Sequence, residues 1–164
     1  MTVTVHNEHA KLRVNKRRIA RHVRQVLTAL GRSRAGVDVT LTDDHAIRRL
    51  NAEYRTIDEV TDVLSFAIAD DPDDPGVFDH LGDVVVSLDT AARQALTVRQ
   101  VAASGGYMLR EETLFLVTHG VLHLLGYDHV EDGDAEVMQA LELRFMKEVT
   151  AIDPQQVDRQ DHGL

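Results

Sequence analysis

LREETLFLVTHGVLHLL, residues 109–125, is strongly apolar and follows a helical rather than an alternating pattern. Leu114, Val117, Val121, Leu122 and Leu125 suit a core, which makes this stretch the expected central helix. The chain has 164 residues, enough for one domain that buries roughly two-thirds of its unfolded surface and too few for two. Two histidines stand in the apolar run at helical spacing, His119 and His123.

Histidines at i and i+4 stand one above the other, about 5–6 Å apart at Cβ, so both imidazoles can reach one metal ion. Gly126 permits the left-handed turn that ends such a helix, after which the chain can swing His129 back as a third ligand. Nine histidines and no cysteine are present, which removes disulfides, thiolate zinc sites, iron–sulfur clusters and cysteine nucleophiles. Three imidazoles suit zinc best, with nickel, copper and iron as alternatives, and on zinc they leave one position open for water, whose pKa such a site lowers to about 7. A lone histidine on an apolar face is normally a packing residue, but H-x3-H-x5-H around a helix-ending glycine points to a metal. His6, His9, His22, His45, His80 and His162 have no partner at ligand spacing. The pattern also matches that of metzincin proteases, except that Gly120 stands where their general-base glutamate would be. Glycine inside a helix costs about 1 kcal/mol relative to alanine, so Gly120 is expected to make room rather than supply chemistry.

Outward from this helix, strands and helices intermix. Residues 2–5 alternate as a strand, and Ile19, Val23, Val26, Leu27 and Leu30 then recur at helical spacing until Gly31. Residues 37–41 form a second strand, and Asp43 or Asp44 can cap a helix through Ala46, Ile47, Leu50 and Tyr54. Residues 63–66 and 84–86 read as a hairpin-like pair across DDPDDPG at 70–76, a solvated loop. Asp89 is placed to cap a helix through Ala92, Ala95, Leu96 and Val98. A last helix over residues 135–149 sets Val137, Leu141 and Phe145 four apart. The expected class is α+β, a mixed β-sheet packed with helices. Residues 1–152 are expected to form a single domain, and 153–164 a flexible tail.

Formal net charge is −9, which by itself speaks against nucleic acid, but it is unevenly spread. Residues 1–36 carry nine basic side chains and one acid, Glu8, while the rest carries nine basic and 26 acidic groups. The first helix therefore has an arginine-rich outer face, either a solvated surface or a contact for an anionic partner such as RNA, with Lys16, Arg17, Arg21 and Arg24 as the candidates. No stretch approaches the roughly 18 apolar residues of a membrane span, and no apolar run precedes a cleavage site, so a cytoplasmic protein without membrane contact is expected.

HGVLHLLGYDH at 119–129 resembles the H-G-x-L-H-L-x-G-Y-D-H signature of the YbeY family, bacterial metal-dependent endoribonucleases implicated in rRNA maturation. LNAEYR at 50–55 followed by TDVLSF at 61–66, and LGDV at 81–84, extend the resemblance over about residues 37–149. It implies a fold akin to the zincins, with one Zn2+ on His119, His123 and His129 carried by the central helix. It also implies a place near the active site for Arg55. A guanidinium can hold a phosphate through two parallel hydrogen bonds, whereas the residues alone would pair Arg55 with Asp58 or Glu59. Asp62 and Asp83 read first as turn or cap residues and second as acceptors that orient a ligand imidazole. Thr56 departs from the glycine often found after that arginine, and Ala67 from a proline often found after the phenylalanine. The implied function is a zinc-dependent, single-strand-specific endoribonuclease in 16S rRNA 3′-end processing and ribosome maturation or quality control, with rRNA and the ribosomal small subunit as partners. The alternatives are a metallohydrolase acting on peptides and a non-catalytic ribosome-assembly factor. Whether water or a ribose 2′-hydroxyl attacks, and which group is the general base, the residues leave open.

Overall fold

Strands with alternating apolar residues (2–5, 37–41) and strands with continuous apolar runs (63–64, 84–86) build a four-stranded sheet in the computed structural model, which describes residues 2–68, 79–128, 130–157 and 159. In chain order the elements are β1 (Val3–Asn7), α1 (Lys16–Ala29), β2 (Gly36–Thr42), α2 (Asp44–Arg55), β3 (Val63–Ala67), β4 (His80–Ser87), α3 (Leu88–Ala102), α4 (Leu109–Leu124) and α5 (Asp132–Met146), followed by a 3-10 turn at Pro154–Gln156. The strands lie in the order β1-β2-β4-β3, parallel except for the edge strand β3, which pairs antiparallel with β4. The mixed sheet and the hairpin-like pair are thus as expected, while the loop at 70–76 lies outside the described residues. No helix among the described residues is long and apolar enough to cross a membrane.

Val37, Val39 and Leu41 of β2 and Val84 and Val86 of β4 face one side, where they share a core with Ile19, Val23 and Leu27 of α1 and Leu114, Val117 and Val121 of α4. The other side carries Leu64 and Val85 against Ile47 of α2. Of the 16 residues in α4, 13 are buried, so its apolar residues surround the helix instead of forming one stripe. Its approach to the sheet depends on Gly120. A Cβ added there would stand 2.6 Å from Val84 Cγ1 and 3.1 Å from Ser65 Oγ, and the Ser65 hydroxyl donates to the Gly120 carbonyl at 3.0 Å. The glycine makes room, as its place in the sequence implied. The helix ends at Gly126, φ +93°, with the amides of Gly126 and Tyr127 donating back to His123 and Leu122, both at 3.0 Å, the paired bonds of a left-handed helix stop.

Several local expectations shift. Ser87, not Asp89, caps α3, its side chain accepting from the Thr90 amide. Asp89 sits one residue inside the helix, where it accepts the Asp44 amide at 3.0 Å and meets His9 Nε2 at 2.8 Å. Helix α5 starts at Asp132 and ends at Met146, and its buried residues are Met138, Glu142 and Met146, one position round from Val137, Leu141 and Phe145. Val137 is exposed and Leu141 and Phe145 only partly buried, because an inward Glu142 finds a buried partner. Thr56 takes a left-handed conformation at the end of α2, φ 58°, the backbone that glycine adopts without strain. Of the segment after residue 152, the 3-10 turn and Arg159 pack against the domain, with the Arg159 guanidinium paired to buried Glu112 and lying over the Phe115 ring. Residues 158 and 160–164 lie outside the described residues.

Two outcomes test this packing. Gly120→Ala gains about 1 kcal/mol of helix propensity yet forces α4 away from Val84. The expected net result is a loss of roughly 1–3 kcal/mol, read as a lower urea midpoint. His22 is buried with its Nε2 2.7 Å from Thr118 Oγ1, and burial, then the nearby Arg18 charge, lowers its pKa to about 4. The folded value lies below the unfolded one of about 6.5. The contribution is therefore complete above that pH and lost as pH falls through about 4, by roughly 3 kcal/mol at most. Unfolding free energy followed across that window should fall in the native chain and show a shallower slope in His22→Gln.

Candidate functional site

The last turns of α4 bring His119 and His123 together, the first buried and the second partly exposed. Their Nε2 atoms lie 3.1 Å apart, with the rings inclined at 76°. Two nitrogens bound tetrahedrally to one zinc at ordinary bond lengths would stand about 3.3 Å apart. The far side of His119 is also engaged, since its Nδ1 is 2.7 Å from Glu142 Oε1. With the Nδ1 proton donated to that carboxylate, Nε2 keeps its lone pair toward His123, the tautomer a metal-binding imidazole requires. These donors fit a zinc ion. His129, the third histidine of the spacing, lies outside the described residues. Glu142 is a site residue that sequence spacing missed. Its one sequence signal is an acid at i+4 from Met138 and i−4 from Met146, within a stripe that would otherwise be apolar.

Arg55 ends α2. Its Nη2 donates to the Ser65 carbonyl, and its guanidinium lies 5.4 Å from the centroid of the Phe66 ring. Ser65 in turn donates to Gly120, the neighbour of His119. Two hydrogen bonds therefore connect the arginine, through the edge strand, to the helix that carries the histidines. The carboxylate that could have claimed Arg55, Asp58, pairs with Arg48 at 2.9 Å. Asp62 is buried and structural in what it touches, accepting the Val63 amide at 2.8 Å and the Gln94 side chain at 3.2 Å.

Lys16, Arg17, Arg21 and Arg24 are all exposed on α1, with Arg17, Arg21 and Arg24 at i, i+4 and i+7 on one stripe. Helix α1 touches α4 through His22 and Thr118, so the basic helix and the histidine pair belong to one helical layer. Arg18 and Arg21 share a groove with Arg144 of α5.

A second group of metal-ligating side chains arises from strand register. Asp38 of β2 and Asp83 of β4 are direct register partners, and a bulge at Gly36 and Val37 brings His80 beside them. One ligand atom from each of Asp38, His80 and Asp83 lies within 4.8 Å of the others, so the three could hold a divalent cation. Burial, and then the facing Asp38, push the Asp83 carboxyl above its ordinary pKa. The group also has partners of its own: His80 Nε2 is 3.3 Å from Asp38, and the Thr4 hydroxyl donates to the other Asp38 oxygen.

A family model described as Endoribonuclease YbeY matches residues 4–150. Among curated relatives of that name, the Heliobacterium modesticaldum protein is 44% identical over 119 residues, 68% of each chain. The protein of an Anaeromyxobacter species is 44% identical over 147 residues, 90% of this chain and 71% of the relative. That of Aquifex aeolicus is 43% identical over 126 residues, 77% of each. The solution structure of TM1509 from Thermotoga maritima has a similar fold, with a TM-score of 0.52, 23% identity and coverage of 96% of this chain and 98% of that one. Matched from its first strand to beyond its last helix, the chain belongs to the YbeY endoribonuclease family.

Proposed function

We propose that the protein is a zinc-dependent endoribonuclease that cuts single-stranded RNA, acting in the cytoplasm on the 3′ end of 16S rRNA within the ribosomal small subunit. What carries the proposal is the 3.1 Å approach of the His119 and His123 Nε2 atoms in a chain of this family. His119, His123 and His129 would hold one zinc ion. When bound there, the ion supplies Lewis acidity toward a phosphodiester and lowers the pKa of water toward neutrality. A helix with two histidines one turn apart, stopped by a glycine, is also the element on which the likeness to zincins rests.

The protein's own groups supply the rest. Arg55 is braced by the Ser65 carbonyl and the Phe66 ring, and its fork of N–H groups binds two phosphate oxygens and offsets the charge that grows as the phosphodiester breaks. Because the brace sets its direction beforehand, little ordering remains for the moment of reaction. Lys16, Arg17, Arg21 and Arg24 bind backbone phosphates without reading bases. Peptide hydrolysis by the metzincin route loses support at Gly120, where a glutamate side chain would begin inside Val84 and could not serve as general base.

His123→Ala is expected to lose its zinc, read by elemental analysis, and its cleavage of single-stranded RNA. Arg55→Ala should keep zinc while kcat/KM on RNA falls by about 100- to 1,000-fold. Full zinc retention by the first variant, or unaltered cleavage by the second, contradicts the assigned role. Cleavage of an unstructured peptide in place of RNA reverses the choice of substrate.

A further inference from the structure

Glu142 uses both of its carboxylate oxygens. Oε1 meets His119 Nδ1 at 2.7 Å, and Oε2 accepts a hydrogen bond from Gln155 Nε2 at 3.1 Å. Gln155 belongs to the 3-10 turn Pro154–Gln156, and the same amide nitrogen donates to the Gln139 carbonyl at 2.8 Å, one turn before Glu142 on α5. The turn itself is anchored twice. Asp153 caps it, accepting the Gln155 amide at 2.9 Å. Arg159 donates from Nη1 to the Pro154 carbonyl and pairs with buried Glu112 near the start of α4. The chain after α5 therefore returns to α4 at one end through Glu112 and reaches His119 at the other through Glu142.

We infer that this carboxy-terminal segment is a positioning arm of the metal centre, in which Gln155 holds Glu142 and Glu142 sets the ring orientation and tautomer of His119. The inference rests on the proposed zinc role of His119 and His123. A buried carboxylate that faces only an imidazole can rotate about its last side-chain bond. A second hydrogen bond on the opposite oxygen removes that freedom and keeps Oε1 on Nδ1. His119 Nε2 then presents its lone pair in the direction of His123 before any metal arrives, so less ordering is required when one binds. Gln155 suits this task because its amide donates to a carboxylate without adding charge to a buried group. Gln155 and Glu142 are positioning residues here, since neither is placed to touch the substrate.

The test uses the full chain and zinc itself as the probe, with affinity measured by competition against a chromophoric chelator. Glu142→Gln should weaken zinc binding by about 10- to 100-fold, and Gln155→Ala, a mild change at a partly exposed site, by at least about threefold. Nitrogen-15 spectra of the metal-free protein should show His119 protonated at Nδ1 in the native chain and as a mixture of tautomers in both variants. A merely structural role would lower the melting temperature without altering that signature. Zinc affinity and tautomer unchanged in Gln155→Ala would overturn the arm even if Glu142→Gln binds weakly. Undiminished zinc affinity in His123→Ala would instead overturn the zinc role on which the inference rests, so the two failures are distinguishable.

Discussion

The absence of a side chain at Gly120 lets α4 lie directly on β3 and β4, and the remaining geometry of the site follows from that contact. Val84 and Ser65 occupy the space a Cβ would need. The helix backbone therefore rests directly on side chains of the sheet, and the Ser65 hydroxyl can reach the helix carbonyl. A helix held so closely is fixed in rotation as well as in position. His119 then meets Glu142 of α5, and His123, one turn later, stands beside it. The residue that a protease would use as its general base has here become a packing device.

The closeness of α4 to everything around it creates a second demand. A helix buried on all sides takes its polar groups with it, and an unanswered charge in such a place is costly. Each acid drawn inward is met by a defined partner. Glu111 accepts the Met108 amide at 3.0 Å and Arg110 Nε at 2.8 Å. Glu112 is met by the Tyr107 hydroxyl at 3.1 Å and by Arg159, and Glu142 by His119 and Gln155. Burial raises the Tyr107 and Glu112 pKa values, which favours a neutral hydroxyl donor in the first case and explains why the second needs an arginine beside it. These partnerships tie Gln155 and Arg159, beyond α5, to Glu142 and the central helix, so segments distant in sequence share the work of shaping one site.

Much of the fold was legible because its signals are local. Alternation marked β1 and β2, short apolar runs marked β3 and β4, Gly31 and Gly126 marked helix ends, and the i, i+4 histidines declared a shared face without knowledge of what lay opposite. The failures are equally local in origin. Asp89 looks like a helix cap, but Ser87, two residues earlier, is the one placed to accept the Thr90 amide, and the Asp89 carboxylate serves Asp44 and His9. The inward stripe of α5 lies one residue round from its apolar pattern, Val137, Leu141 and Phe145, because the side that turns inward carries Glu142 between two methionines. Apolar periodicity cannot anticipate a buried acid whose partner is 23 residues away.

By itself, the sequence determined the elements, the mixed class of the sheet, the histidine pair on the central helix and the basic face of α1. These depend on spacing along one segment, where a 3.6- or two-residue period turns order into geometry. Only the tertiary structure decided which groups stand behind those elements. It set Glu142 on His119, the Ser65 carbonyl on Arg55 in place of Asp58, and Asp38 opposite Asp83. Each of these pairings depends on strand register or helix rotation, which the competition for burial among all the elements settles at once, and no single stretch of chain contains that information.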